Sequence, residues 1–248
     1  MAAASAAPGE AAVYAELEFS SADGRRRVPV EGCRRVRFED AAPVRPFRWS
    51  RGQRHFPGWW WLATTGRHVG YESWLERDHL MLLDFDSAVT AVASQPFWLH
   101  WDDGRRGRRH APDFFARLAS GAGVVIDVRA DDRIEPADTE AFEVTARACE
   151  AAGWEFRRVG AVDPVLAVNV RWLSRYRHPR CAGPPGVADM LRRAFARAAP
   201  LLAGSAEAGD TLAVLPVLFH LIWQRELTAD LGSGPLDSSS LVWLADAR

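Results

Sequence analysis

The chain has 248 residues, of which 48% are hydrophobic and 25% are charged, a composition typical of globular proteins. The longest uncharged apolar stretch, Leu212–Trp223, is shorter than the roughly 20 residues that span a bilayer. The sequence therefore predicts neither long-range disorder nor a membrane-spanning segment. The N-terminus lacks the basic and apolar regions of a signal peptide, and we expect a cytoplasmic protein.

Positive charge is concentrated in the N-terminal part of the chain. Residues 1–60 contain 10 Arg and 7 acidic residues, whereas residues 181–248 contain 5 Arg and 7 acidic residues. Lys is absent, so every basic residue other than His is Arg. Because a guanidinium stays protonated at physiological pH, none of these arginines is suited to act as a general base. Cys33, Cys149 and Cys181 have spacings that match no zinc site, and we expect them to be reduced.

Shifts in composition divide the chain into three predicted parts. Residues 1–60 are predicted to form a basic N-terminal leader, up to about residue 20, and an extension of short strands and tight turns. Residues 61–180 form the predicted central domain. Residues 180–186, rich in Gly and Pro, are the predicted linker to a C-terminal module of residues 187–248.

The central domain mixes helices and strands. The aromatic run at residues 56–61 predicts a loop, and the spacing then predicts a helix over residues 71–83. Further along, the pattern predicts strands at residues 89–93, 97–101, 112–115, 124–129 and 154–160, and helices at residues 137–152 and 164–176. This mixed order predicts an α/β protein of the α+β class, with a central mixed β-sheet flanked by helices.

The C-terminal module is predicted to be mainly helical. Two helical stretches cover residues 187–203 and 211–231, and Leu241, Val242 and Trp243 have β character. Helices followed by a small β element favour a winged-helix-like module. Its excess of acidic residues argues against a large contact with phosphates, so we expect it to dock on a partner.

Two aspartates carry the predicted chemistry. Asp113 and Asp127 lie on consecutive strands that are expected to pair antiparallel, so their side chains can converge on one face. Neighbouring carboxylates repel unless a cation lies between them, and carboxylate oxygens prefer Mg²⁺ or Mn²⁺. Glu76, a carboxylate on an otherwise apolar helix stripe, is the predicted third ligand. Such a site suits phosphodiester hydrolysis, with Arg129 as the cationic side chain.

Other residues are predicted to surround this site. Glu72 and Gln95 are expected to lie behind the ligands, although Gln95, before a proline, also suits a plain turn. A basic run is predicted to grip DNA phosphates and comprises Arg105, Arg106, Arg108, Arg109 and His110. A purely structural alternative stays open, in which arginines pair with Asp113, Asp127 and Glu76, and His110 is simply solvated.

Residues 71–176 resemble the TnsA-like endonuclease subunits of heteromeric transposases, a branch of the PD-(D/E)xK, restriction-endonuclease-like nucleases. The resemblance rests on segments that occur in the family's order: Tyr71–Asp78, Phe85–Asp86, Ser94–Pro96, Pro112–Phe115, Val125–Arg129 and Asp163–Leu173. It implies a restriction-endonuclease-like core in which Glu76 and Asp113 bind the metal. It also implies that Asp127 occupies a variable acidic or amide position and that Arg129 replaces the usual lysine.

The resemblance implies a division of labour with other proteins. Such a subunit binds double-stranded DNA at transposon ends and cuts the non-transferred strand. A DDE-type transposase cuts the other strand, often together with an ATP-dependent regulator. Two alternatives remain: a stand-alone restriction or repair nuclease of the same fold, and a catalytically silent DNA-binding or assembly subunit in which Arg129 marks lost activity.

Overall fold

The computed structural model describes residues 15–21, 24–47 and 56–245. Most of the predicted leader and part of the predicted N-terminal extension therefore lie outside the described residues. The strands are β1 (Glu16–Ser21), β2 (Gly24–Pro29), β3 (Gly58–Trp61), β4 (His68–Tyr71), β5 (Val89–Ser94), β6 (Trp98–Asp102), β7 (Gly107–His110), β8 (Phe114–Leu118), β9 (Gly123–Val128), β10 (Glu155–Val159), β11 (Ala199–Pro200), β12 (Leu227–Ala229) and β13 (Leu241–Leu244). The α-helices are α1 (Trp74–Phe85), α2 (Pro136–Ala152), α3 (Pro164–Leu173), α4 (Val187–Ala194), α5 (Leu201–Ala208) and α6 (Thr211–Trp223).

A four-stranded mixed sheet in the order β10-β9-β8-β5 forms the centre of the molecule. Strand β8 pairs antiparallel with both β5 and β9, and α2 connects β9 to β10, which runs parallel to β9. Val124, Val125 and Ile126 on β9 are almost completely buried, as predicted for a central strand. The predicted α+β class is confirmed.

Local sequence signals fix the ends of the flanking helices. The Ser73 hydroxyl accepts a hydrogen bond from the Glu76 N–H and so caps α1, which begins three residues later than predicted because residues 68–71 form β4. Gly153 adopts a left-handed conformation (φ 72°) and ends α2, as predicted. The Asp163 carboxylate accepts from the Leu166 N–H and begins α3, also as predicted.

A second four-stranded sheet, in the order β2-β1-β6-β7, lies beside the central one. The described end of the predicted leader is strand β1, which pairs with β2 and with β6. The predicted strand at residues 97–101 therefore does not belong to the central sheet. The chain leaves the central sheet at Gln95, whose φ of 46° is unusual for a residue other than glycine, and Pro96 follows at once.

The aromatic run at residues 56–61 is not a loop, because Gly58–Trp61 forms β3 and pairs with β4. Alternation along the strand places Trp60 against the core, where its indole N–H donates to the buried Asp84 carboxylate (3.0 Å). The Arg177 guanidinium lies 4.1 Å from the centre of the Trp60 ring, and its Nη1 donates to the Ser174 carbonyl (2.6 Å). This contact ties β3 to the segment that follows α3.

The C-terminal module contains three helices and a sheet in the order β11-β13-β12. The predicted helix over 187–203 is interrupted after Ala194, and Ala199 and Pro200 pair with β13 before α5 begins at Leu201. The predicted helix over 211–231 stops at Trp223, where Arg225 adopts a positive φ of 60° and leads into β12. The module shares one core with α1 and α3, since Met81, Phe85, Val170 and Leu173 pack in the same cluster as Leu218 and Ile222.

Within the residues that the structure describes, no single helix is long and apolar enough to cross a bilayer. Among the described helices, α5 and α6 are long and apolar enough only if they are taken together, and the chain bends by 115° between them.

The side chain of Asn169 fastens the loop between β12 and β13 to α3. Its amide nitrogen donates to the carbonyls of Leu231 (2.9 Å) and Gly234 (2.8 Å), and its Oδ1 accepts from the Leu236 N–H (2.8 Å). Asn169 is itself only 2% exposed, and its hydrogen bond to the Leu231 carbonyl is fully buried, whereas the other two are half-buried.

Replacing Asn169 with Ala should lower the free energy of unfolding by about 2–4 kcal/mol, because three backbone groups lose their partners in a buried setting. Urea denaturation measures the change. Val168→Ala, on the exposed side of the same helix, should change the value by less than about 0.5 kcal/mol. Equal losses in both variants would show that Asn169 has no special role in holding this loop.

Candidate active site

A cleft of about 890 Å³ opens where the start of α1, the ends of β7, β8 and β9 and the start of α2 meet. It is lined by residues from segments that are far apart in the sequence, and most of them are ionisable. Its acidic residues are Glu72, Glu76, Asp113, Asp127 and Asp138, and its basic residues are Arg45, Arg109, Arg129, Arg133 and His110. The four predicted catalytic residues therefore lie in one cleft.

Asp113 and Asp127 are brought together by the pairing of β8 with β9. Phe114 lies opposite Ile126, so Asp113 and Asp127 are the next residues along the two strands. Residues opposite each other in an antiparallel pair point to the same face of the sheet. The Val128 N–H donates to Asp113 Oδ2 (2.8 Å) and fixes one side of this carboxyl group. The predicted convergence of the two aspartates is confirmed.

Burial raises the pKa of Asp113 well above its usual range, and the negative charges of Glu76 and Asp127 raise it further. The hydrogen bond from the Val128 N–H and the positive charge of Arg45 act in the opposite direction but are weaker. A carboxyl group surrounded by other carboxylates binds a proton or a cation in preference to remaining ionised alone. The floor of the cleft therefore attracts positive charge.

Glu76 lies in the first turn of α1 and is 9% exposed. Its carboxylate accepts hydrogen bonds from the Glu72 N–H (2.7 Å) and from the Ser73 hydroxyl (2.8 Å), which makes it part of the helix cap. The pKa of Glu76 is raised, chiefly by burial. The sequence signal for this cap is the spacing of Ser73 and Glu76, which matches a capping box.

His110 faces the cleft and is not simply solvated. Its Nε2 lies 2.9 Å from each carboxylate oxygen of Asp127, and the ring meets Phe142 of α2 edge to face at 6.5 Å. Asp127 is only 2% exposed, so His110 is the polar partner of a buried carboxylate. The predicted contact of His110 with DNA stays a prediction.

Arg129 is held at the side of the cleft. Its Nη2 donates to Asp138 Oδ2 (2.8 Å), and its Nε lies 3.1 Å from the same oxygen. Asp138 also accepts from the Glu135 N–H (2.9 Å) and helps to cap α2. In the described part of the chain, no arginine forms an ion pair with Asp113, Asp127 or Glu76.

The structure divides the predicted phosphate-binding run. Arg109 stacks on Trp98 (4.3 Å to the ring centre) and lines the cleft. Arg108 pairs with Asp103 (2.7 Å) and, with Arg105, lines a smaller neighbouring cleft, while Arg106 is exposed at the turn.

Gln95 forms a turn, the alternative that its place before a proline suggested, whereas the role of Arg45 has no sequence signal. The Gln95 N–H donates to the Asp113 carbonyl (2.9 Å), and this buried residue forms the turn between the two sheets. Arg45 forms an ion pair with Glu72 (2.6 Å) at the mouth of the cleft. Arg45 precedes Glu72 by 27 residues and belongs to no motif, so the sequence contains no signal for this contact.

The predicted metal ligands do not form a finished coordination group. Within residues 15–21, 24–47 and 56–245, no three His, Cys, Asp or Glu side chains are grouped closely enough to hold a metal ion. Their chemistry nevertheless fits a hard divalent cation, because oxygen donors face one cleft and their charges raise the pKa of Asp113. Metal binding stays a prediction.

Comparison of the sequence with protein-family models and with curated proteins found no match. The resemblance to the TnsA-like endonucleases therefore rests on the residues of this chain alone.

Asp113→Asn should stabilise the metal-free protein at neutral pH. A raised pKa means that the folded state holds the Asp113 proton more tightly than the unfolded chain does, so protonation of Asp113 stabilises the wild type. That contribution is fully present below the unfolded pKa of about 3.9 and is lost as the pH rises through the folded value, whereas Asn carries no charge at any pH. Asn retains an acceptor for the Val128 N–H without the charge. We expect a higher Tm for the variant at pH 7 in EDTA, by about 2–4 °C for each kcal/mol gained, and no difference below the unfolded pKa.

Thermal denaturation across the pH range measures this effect. Asp131→Asn, which removes an exposed carboxylate beside Arg158, should not raise the Tm at any pH. A lower Tm for Asp113→Asn at neutral pH would contradict the electrostatic account of the cleft.

Proposed function

We propose that this chain is a Mg²⁺-dependent DNA endonuclease that hydrolyses a phosphodiester bond. The observation that carries the proposal is the meeting of Asp113, Asp127 and Glu76 in one cleft whose rim carries arginines. Carboxylates on the floor suit a divalent cation, and guanidinium groups on the rim suit a phosphate backbone.

The order of the elements supports a restriction-endonuclease-like core. A helix, three antiparallel strands, a second helix and a parallel fourth strand correspond to α1, β5, β8, β9, α2 and β10. The hairpin β6-β7 is an insertion between the first two strands of this order, and it brings Arg109 and His110 to the cleft.

Asp113 and Asp127, with Glu76 as a third ligand, would hold Mg²⁺ or Mn²⁺. When bound, such an ion lowers the pKa of a water molecule and neutralises the phosphate in the transition state. The chain's own groups bind and orient the substrate: Arg109 can donate hydrogen bonds to phosphate oxygens, whereas Arg129 donates to Asp138. His110 holds the Asp127 carboxylate in place from the opposite sheet.

The resemblance to TnsA-like proteins extends the proposal to transposition. In that role the chain binds duplex DNA at transposon ends and cuts the non-transferred strand, together with a DDE-type transposase and an ATP-dependent regulator. The order α4, β11, α5, α6, β12, β13 supports a winged-helix-like C-terminal module. Helix α6 contains no Lys or Arg and is buried along most of its length, which favours partner docking over DNA reading.

One observation favours a second candidate, a catalytically silent assembly subunit. The Glu76 carboxylate is already satisfied by the cap of α1, and Arg129 is paired with Asp138. In a subunit that had lost hydrolysis, Glu76 and Asp138 would serve only to stabilise helix ends, and the arginines of the rim would still bind DNA.

Strand cleavage distinguishes the two candidates. With Mg²⁺ or Mn²⁺, duplex transposon-end DNA and the transposase, the wild type should nick one strand, and Asp113→Asn and Asp127→Asn should lower the rate by about 100-fold or more. Isothermal titration calorimetry with Mn²⁺ should show metal binding to the wild type, and each of the two substitutions should weaken it. Asp189→Asn, on the exposed side of α4, is the matched control and should change neither measurement.

Metal binding that does not depend on Asp113 or Asp127 would contradict the proposed site. DNA and transposase binding without any metal binding or cleavage would instead support the silent assembly subunit.

A further inference from the structure

The cleft contains a guanidinium group that no sequence motif indicates. Arg45 lies in the segment of residues 41–47, and its side chain is 40% exposed. Its Nη2 forms an ion pair with Glu72 Oε2 (2.6 Å), and the residue lines the same cleft as Asp113 and Glu76. Arg45 is therefore accessible to a ligand and adjacent to the carboxylates on the floor.

Backbone hydrogen bonds fix the segment that carries Arg45 relative to Asp113. The Val44 N–H donates to the Gln95 carbonyl (2.9 Å), and the Gln95 N–H donates to the Asp113 carbonyl (2.9 Å). Gln95 is almost completely buried in its left-handed turn, so this connection is shielded from water. The position of the Arg45 backbone is thus set by the same turn that positions Asp113.

Arg45 and Arg129 both line the cleft that contains Asp113 and Glu76, but their surroundings differ. Arg129 is occupied differently, because Asp138 accepts from both its Nε and its Nη2, and its Nε also donates to the Arg133 carbonyl (3.2 Å). The same Asp138 Oδ2 also accepts from the Glu135 N–H in the cap of α2.

We infer that Arg45 contacts the DNA phosphate beside Asp113 and Asp127, and that it supplies the positive charge that the sequence assigns to Arg129. The inference rests on the proposed nuclease function. A guanidinium presents a planar pair of donors that matches two phosphate oxygens, and it remains charged at any working pH. Glu72 is a positioning residue, because it holds the Arg45 side chain at the mouth of the cleft until DNA arrives.

Salt dependence of DNA binding tests the inference without requiring turnover. The full chain is titrated onto a fluorescein-labelled DNA duplex in Ca²⁺ at several salt concentrations, and the slope of log K against log salt is measured. One lost phosphate contact reduces the magnitude of this slope by about 0.9. We expect that reduction for Arg45→Gln, a slope close to wild type for Arg45→Lys, and no change for Arg129→Gln.

Two further variants separate a lost contact from indirect effects. Arg45→Gln leaves Glu72 unpaired in the cleft, and the double variant Arg45→Gln/Glu72→Gln removes that negative charge. We expect the double variant to retain the reduced slope. Arg157→Gln, whose partner Glu155 lies on β10 away from the cleft, is the matched control and should keep the wild-type slope. The Tm of each variant is measured alongside to identify any that fails to fold.

A wild-type slope in the double variant would overturn the inference, and so would a reduction confined to Arg129→Gln. Failure of the wild-type chain to bind duplex DNA would instead overturn the proposed function, and the inference with it. Where cleavage is reconstituted, Arg45→Gln should lower kcat by about 100-fold, while Arg45→Lys recovers part of the rate.

Discussion

The antiparallel pairing of β8 with β9 is the constraint on which the rest of the molecule depends. It places Asp113 and Asp127 side by side at the end of two buried strands. Two carboxylates in a poorly solvated position repel each other, and burial adds to the cost of ionising them. One imidazole contacts the Asp127 carboxylate and one backbone N–H donates to the Asp113 carboxylate, while several guanidinium groups line the same cleft.

This electrostatic arrangement explains how the two sheets depend on each other. The central sheet supplies the aspartates, whereas the second sheet supplies His110 and Arg109 through the inserted hairpin β6-β7. Gln95 forms the turn between the sheets and also hydrogen-bonds to the backbone of Asp113. A cleft with both signs of charge is consequently assembled at the junction of the sheets. This junction carries an energetic cost, because buried like charges repel each other.

The C-terminal module is integrated with the central part through packing. Its helices share a core with α1 and α3, Asn169 holds the loop before β13, and Arg177 links β3 to the segment that precedes the module. Because α1 also carries Glu76, the helix that borders the cleft shares its core with the C-terminal module.

Local signals in the sequence determined the chain's regular elements and part of its site. The α+β class, the buried strand β9, the caps at Asp163 and Gly153 and the convergence of Asp113 with Asp127 followed from periodicity, capping residues and strand alternation, all of which act over a few residues. Only the tertiary structure decided that residues 97–101 leave the central sheet to pair with β1, that the residue 56–61 run forms a strand, and that His110 faces Asp127. These contacts join segments tens of residues apart, and their energies depend on burial and on neighbouring charges that no local pattern encodes. The sequence motif predicted Arg129 as the cation of the site. No motif indicated Arg45, because only the fold brings the segment of residues 41–47 to the cleft.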